Sequence, residues 1–175
     1  MPGRSEEPTD VLIGLGGNLG DPKTAFLRAL RRLKEEGSLL AVNAVSSLWR
    51  TPPWGLEAQP DYLNACVRGT TSLSAKGLLS RLLEAESAEG RVRNVRWGPR
   101  SIDLDLLFFG DRSIDEDGLT LPHPRIAERA FVLLPLSEIA PEWIYRGETI
   151  QSLAARADTA GMTVIAEPDE WWPGE

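Results

Sequence analysis

Ile102-Asp103-Leu104-Asp105-Leu106-Leu107-Phe108-Phe109 is apolar at almost every position, yet it carries two carboxylates near its start. Side chains of a strand alternate faces, which puts Leu104, Leu106 and Phe108 on one face and Leu107 and Phe109 on the other, beyond the acids. A segment apolar on both faces reads as a buried strand. Asp103 and Asp105 then point the same way, with Cα atoms roughly 6.7 Å apart. A lone Asp-x-Asp is more often an exposed pair at a strand's start. On a buried strand the balance reverses, because buried charge needs a partner. Carboxylates are hard-oxygen ligands suited to magnesium, and two on one face can share a pair of cations.

Immediately upstream, Arg91, Arg93, Arg96 and Arg100 crowd into one short span of a chain whose net charge is −7. Arginine makes bidentate contacts to phosphate oxygens. The bland alternative is a solvated loop that balances nearby acids; four arginines without a lysine among them favour phosphate. Trp97 stays open between core filler and a platform for a heteroaromatic ring. A sequence pI near 4.9 speaks against nucleic acid and anionic membrane, which need basic excess over a whole face. The cluster is therefore expected to serve something small.

Upstream again, Asp10 to Gly16 reads as a short strand running into the glycine turn Gly16-Gly17-Asn18-Leu19-Gly20. Asp21 caps a helix with Pro22 at its first position. Phe26, Ala29, Leu30 and Leu33 share its apolar face, and Gly37 marks its stop. Strand-compatible runs from Leu39 to Trp49 and Tyr62 to Thr70 flank a proline-rich loop, and Leu78, Leu79, Leu82 and Ala85 recur at helical spacing between Ser74 and Glu86. With the Ile102 to Phe109 strand the order is βαββαβ. That order predicts an α+β fold, ferredoxin-like, with an antiparallel sheet covered by helices on one face. Residues after Gly110 form a C-terminal extension that adds to the sheet or covers it, with a helix around Ile150 to Ala157 and a strand around Met162 to Ala166.

A hydrophobic fraction of 42% and a charged fraction of 26% in 175 residues fit one domain. Its expected span is 11–166, between a polar N-terminal tail, 1–10, and an acidic tail, 167–175, that carries Trp171 and Trp172. Neither a signal h-region nor a membrane-length apolar run is visible. Cys66 is the only cysteine, which excludes an intramolecular disulfide and a thiolate zinc cluster. A soluble, cytoplasmic monomer is expected. The glycine turn is no nucleotide loop, because Leu19 stands where the third glycine of G-x-G-x-x-G belongs, and no G-x-x-x-x-G-K-[ST] is present. Tyr62 and Asn64 share one strand face, opposite Leu63, Ala65 and Val67; a plain outward polar face explains them as well as a pocket does. His123, alone between two prolines, reads first as structural.

Taken together these residues resemble the 6-hydroxymethyl-7,8-dihydropterin pyrophosphokinases. The signature is Arg96-Trp97-Gly98-Pro99-Arg100-Ser101-Ile102-Asp103-Leu104-Asp105-Leu106-Leu107, supported by the glycine turn, Arg50-Thr51-Pro52-Pro53, Gln59 to Ala65, Gly90 to Arg93 and Pro122-His123-Pro124. The resemblance implies transfer of pyrophosphate from MgATP to the hydroxymethyl group of 6-hydroxymethyl-7,8-dihydropterin, with release of AMP, in folate biosynthesis. It implies Asp103 and Asp105 as ligands of two magnesium ions, and Arg91 and Arg100 as catalytic arginines. Glu86, Arg93, Trp97, Arg100, Thr120, His123 and Arg129 would surround ATP. Tyr62 and Phe131 would sandwich the pterin; Thr51, Pro52 and Asn64 would meet its polar edge, with Asn18 and Trp54 nearby. Gly17, Trp54 and Gly118 depart from common residues of the family. Loops around Pro52 to Pro60 and Glu89 to Arg96 would close over the substrates. Two rivals are a magnesium-nucleotide sensor that has lost transfer and a ferredoxin-like RNA binder; the intact acids and arginines oppose the first, and the acidic pI the second.

Overall fold

The computed structural model describes residues 4–37, 39–53, 58–90 and 102–174. Its elements run β1 (Arg4–Gly17), α1 (Pro22–Glu35), β2 (Ala41–Val45), β3 (Leu48–Thr51), β4 (Tyr62–Leu73), α2 (Ala75–Ala88), β5 (Asp103–Phe109), β6 (Ile114–Glu116), β7 (Leu119–Leu121), α3 (Ala130–Ile139), β8 (Ile144–Tyr145), β9 (Glu148–Thr149), α4 (Ile150–Ala155), β10 (Thr163–Ala166) and α5 (Pro168–Trp171). The main sheet has the order β10-β3-β4-β1-β5, with β2 also on β4, and every pairing is antiparallel. The hairpins β6-β7 and β8-β9 stand apart from it.

The helix starts follow local chemistry. Asp21 accepts from Thr24 N–H (3.2 Å) and the Thr24 hydroxyl (2.6 Å), and these bonds hold its carboxyl below the usual range. Ser74 accepts from Gly77 N–H at 3.0 Å and starts α2. Each such cap contributes about 1 kcal/mol. On one face of the sheet, Phe26, Ala29, Leu30 and Leu33 of α1 and Leu78 and Leu82 of α2 bury against Val11, Ile13 and Leu15 of β1 and Leu104 and Leu106 of β5. Fully burying one such large side chain stabilises the fold by about 1.5–3 kcal/mol.

Four expectations are corrected. First, β5 is bulged: Leu12 pairs with Phe108 but Ile13 with Leu106, so Leu107 is the extra residue. The bulge turns Phe108 to the face of Leu107, while Phe109 joins Leu104 and Leu106. Second, the run from Leu39 to Trp49 is two strands. At the break the Ser46 hydroxyl accepts from Cys66 N–H (2.8 Å) and donates to Ser47 O (2.8 Å), a side-chain alternative to the ladder. Third, helices cover both faces, since Val132, Leu133 and Leu136 of α3 and Ile150 and Leu153 of α4 bury against Leu12, Cys66, Leu107 and Phe108. Fourth, both expected tails carry structure. Residues 4–10 belong to β1, and Trp171, 1% exposed, donates from Nε1 to Ser46 O (2.8 Å) and meets Phe26 edge-on at 6.4 Å. Glu167 and Glu170 form the capping box that starts its short helix.

Candidate active site

The alternation of β1, β4 and β5 puts one set of residues on the face that α3 covers. Asp103 pairs with Gly16, and Gly16 with Asn64; Asp105 pairs with Gly14, and Gly14 with Cys66. Two rows of the sheet thus run from a carboxylate on β5, across a glycine on β1, to β4. Strands lie about 4.8 Å apart, so Asp103 and Asn64 are separated by about 9–10 Å across a floor with no side chain. Of the two glycines, Gly16 is the one whose replacement would force a neighbour to move. A Cβ on Gly16 would fall 2.9 Å from Asn64 Oδ1, and one on Gly14 would touch Leu107 at 3.5 Å.

Above this floor opens a cleft of about 670 Å³, solvent space included, lined among the described residues by Asp103, Asp105 and Arg129 at one end and Thr51, Pro52, Tyr62, Asn64 and Phe131 toward the other. Asn64 Nδ2 donates to Thr51 Oγ1 at 2.7 Å, and both side chains are buried. Arg129 precedes α3, with a guanidinium nitrogen 3.8 Å from Asp105 Oδ2 and its Cζ 5.6 Å from the centre of the Phe131 ring. One cation therefore faces both the acids and an aromatic wall.

His123 sits beside this end. Its backbone N–H donates to the carbonyl of the bulged Leu107 (2.9 Å), and its ring Nδ1 accepts from the Arg125 backbone N–H (3.2 Å). Burial, followed by the charges of Arg129 and Arg125, pushes its pKa down to about 4 against the pull of Asp103. The ring is neutral at physiological pH, with its proton on Nε2 as a donor.

The remaining expected residues separate. Asn18 donates from Nδ2 to Gln59 Oε1 and Pro60 O, both at 3.0 Å, and so pins the turn after β1 to the loop before β4 rather than lining the cleft. Glu86, buried on α2, and Thr120, exposed on β7, are not among the lining residues. Trp54, Arg91, Arg93, Trp97 and Arg100 lie outside the described residues, as do the centres of both expected closing loops. The lining also includes Gly14, Leu15, Gly16, Ala65 and Val132, none of which the sequence marked as site residues. The two strand glycines carried a usable signal, since glycine inside a strand marks close approach.

Among the described residues no group of three His, Cys, Asp or Glu is placed to hold a metal ion. Two carboxylates are nevertheless what magnesium takes from a protein when substrate phosphates and water complete its shell. The donor set fits a metal brought by a nucleotide.

The family model described as 7,8-dihydro-6-hydroxymethylpterin-pyrophosphokinase matches residues 12–141. The chain belongs to that family. Its relatives include the 2-amino-4-hydroxy-6-hydroxymethyldihydropteridine pyrophosphokinases of Methylorubrum extorquens, 43% identical over 88% of this chain and 97% of the relative, and of Synechocystis, 41% identical over 89% and 80%. The fold is similar to the crystal structure of Plasmodium falciparum HPPK-DHPS wild type, with a TM-score of 0.66 at 16% identity. That likeness covers 87% of this chain, which spans less than half (45%) of the Plasmodium chain. Members of the family are pyrophosphokinases, diphosphotransferases that act with ATP.

Proposed function

We propose that this chain transfers the pyrophosphoryl group of ATP to the hydroxymethyl oxygen of 6-hydroxymethyl-7,8-dihydropterin, a step of folate synthesis, and that the cleft over Gly14 and Gly16 is where the two substrates meet. Family membership supports the activity. The observation that carries the site is the pair of rows Asp103-Gly16-Asn64 and Asp105-Gly14-Cys66. They give one cleft an acidic end, suited to a metal-bound phosphate chain, and a hydrogen-bonding and aromatic end, suited to a flat heterocycle.

In this reading Tyr62 and Phe131 flank the bicyclic ring, and Asn64, held by Thr51, offers amide groups to its polar edge. Asp103 and Asp105 would hold two magnesium ions, whose chemistry there is to neutralise phosphate charge. Arg129 and neutral His123 add a cation and an N–H donor on the same side, and the family resemblance adds Arg91 and Arg100. The hydroxymethyl oxygen bonds to the β-phosphorus and loses its proton, while the bond from that phosphorus to the oxygen of the α-phosphate breaks and AMP leaves. No protein nucleophile is required. Positioning and electrostatic stabilisation carry most of the catalysis in phosphoryl transfer.

The proposal includes a cytoplasmic monomer and a ferredoxin-like core. Support for the latter is the strand order β3-β4-β1-β5 with α1 and α2 on one face. No helix among the described residues is long and apolar enough to cross a membrane. Incubation with ATP, magnesium and the reduced pterin alcohol, followed by identification of the nucleotide product, tests the reaction. AMP supports it; ADP would make the chain an ordinary kinase, and no turnover would favour a sensor.

A further inference from the structure

One carboxylate outside the cleft joins its two walls. Glu138 Oε2 accepts from Ser47 N–H (2.9 Å) and the Ser47 hydroxyl (2.7 Å), while its Oε1 accepts from Trp49 Nε1–H (2.6 Å). Glu138 lies on α3, whose first turn carries Phe131 and Val132 in the cleft lining. Ser47 and Trp49 flank Leu48 at the start of β3, the strand that ends in Thr51 and leads into Pro52. Trp49 stands opposite Asn64 in the ladder, so its side chain is on the cleft face in the row of Asn64, two residues before Thr51.

The helix itself makes such a tie necessary. Phe131 and Glu138 are seven residues apart, about 10.5 Å along the axis and on nearly the same face. Between them Pro135 has no N–H for the Phe131 carbonyl, so one of the bonds linking the first turn to the rest is missing. Val132, Leu133 and Leu136 hold α3 to the sheet by apolar burial, which is non-directional and resists separation more than rotation or sliding. The three hydrogen bonds of Glu138 are directional. The C-terminal segment braces the same stretch, with Glu167 Oε2 lying 3.3 Å from Ser47 Oγ and Trp171 on Ser46 O.

We propose that Glu138 is a positioning residue that fixes the gap between Phe131 on α3 and Thr51-Pro52 at the end of β3, and thereby sets affinity for the bicyclic ring; this rests on reading the cleft as the pterin site. Neither Glu138 nor its partners on β3 line the cleft, so its action is indirect. It bears on the pterin end alone, because the β5 carboxylates lie across β1 and β4 from it.

Glu138→Gln keeps the side chain's size but turns one acceptor oxygen into an NH2 that faces a donor. Trp49→Phe removes the donor to Oε1 and keeps a ring. With the full chain and both natural substrates, each variant is expected to raise the pterin KM about tenfold, while the ATP KM and the kcat at saturating pterin stay within about twofold of wild type. The double variant should be no worse than Glu138→Gln, because both changes break one shared interaction. Asn64→Ala serves as the reference for the cleft itself. If Asn64→Ala raises the pterin KM and Glu138→Gln does not, the positioning role is overturned. If pterin KM, ATP KM and melting temperature move together in Glu138→Gln, the residue is a general brace and the proposal fails. If Asn64→Ala also leaves the pterin KM unchanged, the cleft reading falls and takes this one with it.

Discussion

Gly16→Ala probes the floor of the cleft through one methyl group. The added Cβ would stand 2.9 Å from Asn64 Oδ1 and 3.9 Å from Leu63 O. The first separation is closer than carbon and oxygen tolerate, so the Asn64 amide must turn away, and its 2.7 Å bond to Thr51 Oγ1 is lost or lengthened. A displaced amide no longer meets the polar edge of the pterin, and groups left unpaired there cost about 1–3 kcal/mol, or roughly 5- to 150-fold in affinity. Stability should change less. Alanine gains about 0.5–1 kcal/mol over glycine inside a strand, which offsets part of an overpacking cost of about 1–3 kcal/mol. Gly14→Ala is the control, since its Cβ meets only Leu107 at 3.5 Å, an ordinary contact. Fluorescence titration of a pterin analogue in the presence of a non-hydrolysable ATP, paired with thermal melts, measures both terms. Gly16→Ala that binds the analogue within about twofold of wild type while melting normally would refute the placement of Asn64 at the ring's edge.

Other perturbations separate the parts of the account. Asp103→Ala and Asp105→Ala should each abolish AMP release while the fold persists, with a melting temperature no lower than wild type, because each change relieves repulsion between neighbouring carboxylates. Near wild-type turnover in either variant at saturating magnesium would contradict this. Since the His123 pKa falls from 6.5 to about 4 on folding, the unfolded chain takes up the proton first as pH drops. Its contribution is full above pH 6.5 and lost as pH falls from 6.5 to about 4. Allowing for solvent screening of a partly exposed ring, the loss is about 2 kcal/mol, and urea titrations at several pH values should show it shrink in His123→Gln. Trp171→Ala should cost about 3–5 kcal/mol, as for a large core aromatic, and a melting temperature near wild type would return residues 167–175 to the status of a tail.

The chain announces some of this and conceals the rest for physical reasons. Asp21-Pro22 and Ser74 mark helix starts because capping is local, and Asp103 and Asp105 share a face because strand alternation is local. The bulge at Leu107 is not local. It answers to the register with β1, and with Leu106, Leu107, Phe108 and Phe109 all apolar, nothing in the composition shows where the phase slips. The break at Ser46-Ser47 hides similarly, since a hydroxyl that takes the place of a ladder bond depends on Cys66 across the sheet. Gly14 and Gly16 fail the phosphate-loop spacing, and the informative spacing is their period of two within a strand. Glu138 reads as an ordinary surface acid at the end of an apolar run, because its partners lie about ninety residues away. Trp171 reads as part of an acidic tail for the same reason: its slot beside Phe26 exists only in the folded chain.

The most direct test is a crystal structure of the protein with manganese, a non-hydrolysable ATP analogue and the pterin alcohol, using anomalous scattering to locate the metal. Manganese is expected on the carboxylates of Asp103 and Asp105, with the nucleotide's phosphates reaching toward Gly16 and the pterin ring between Tyr62 and Phe131, its edge on Asn64. Manganese bound away from β5, or a pterin seated outside this cleft, would contradict it.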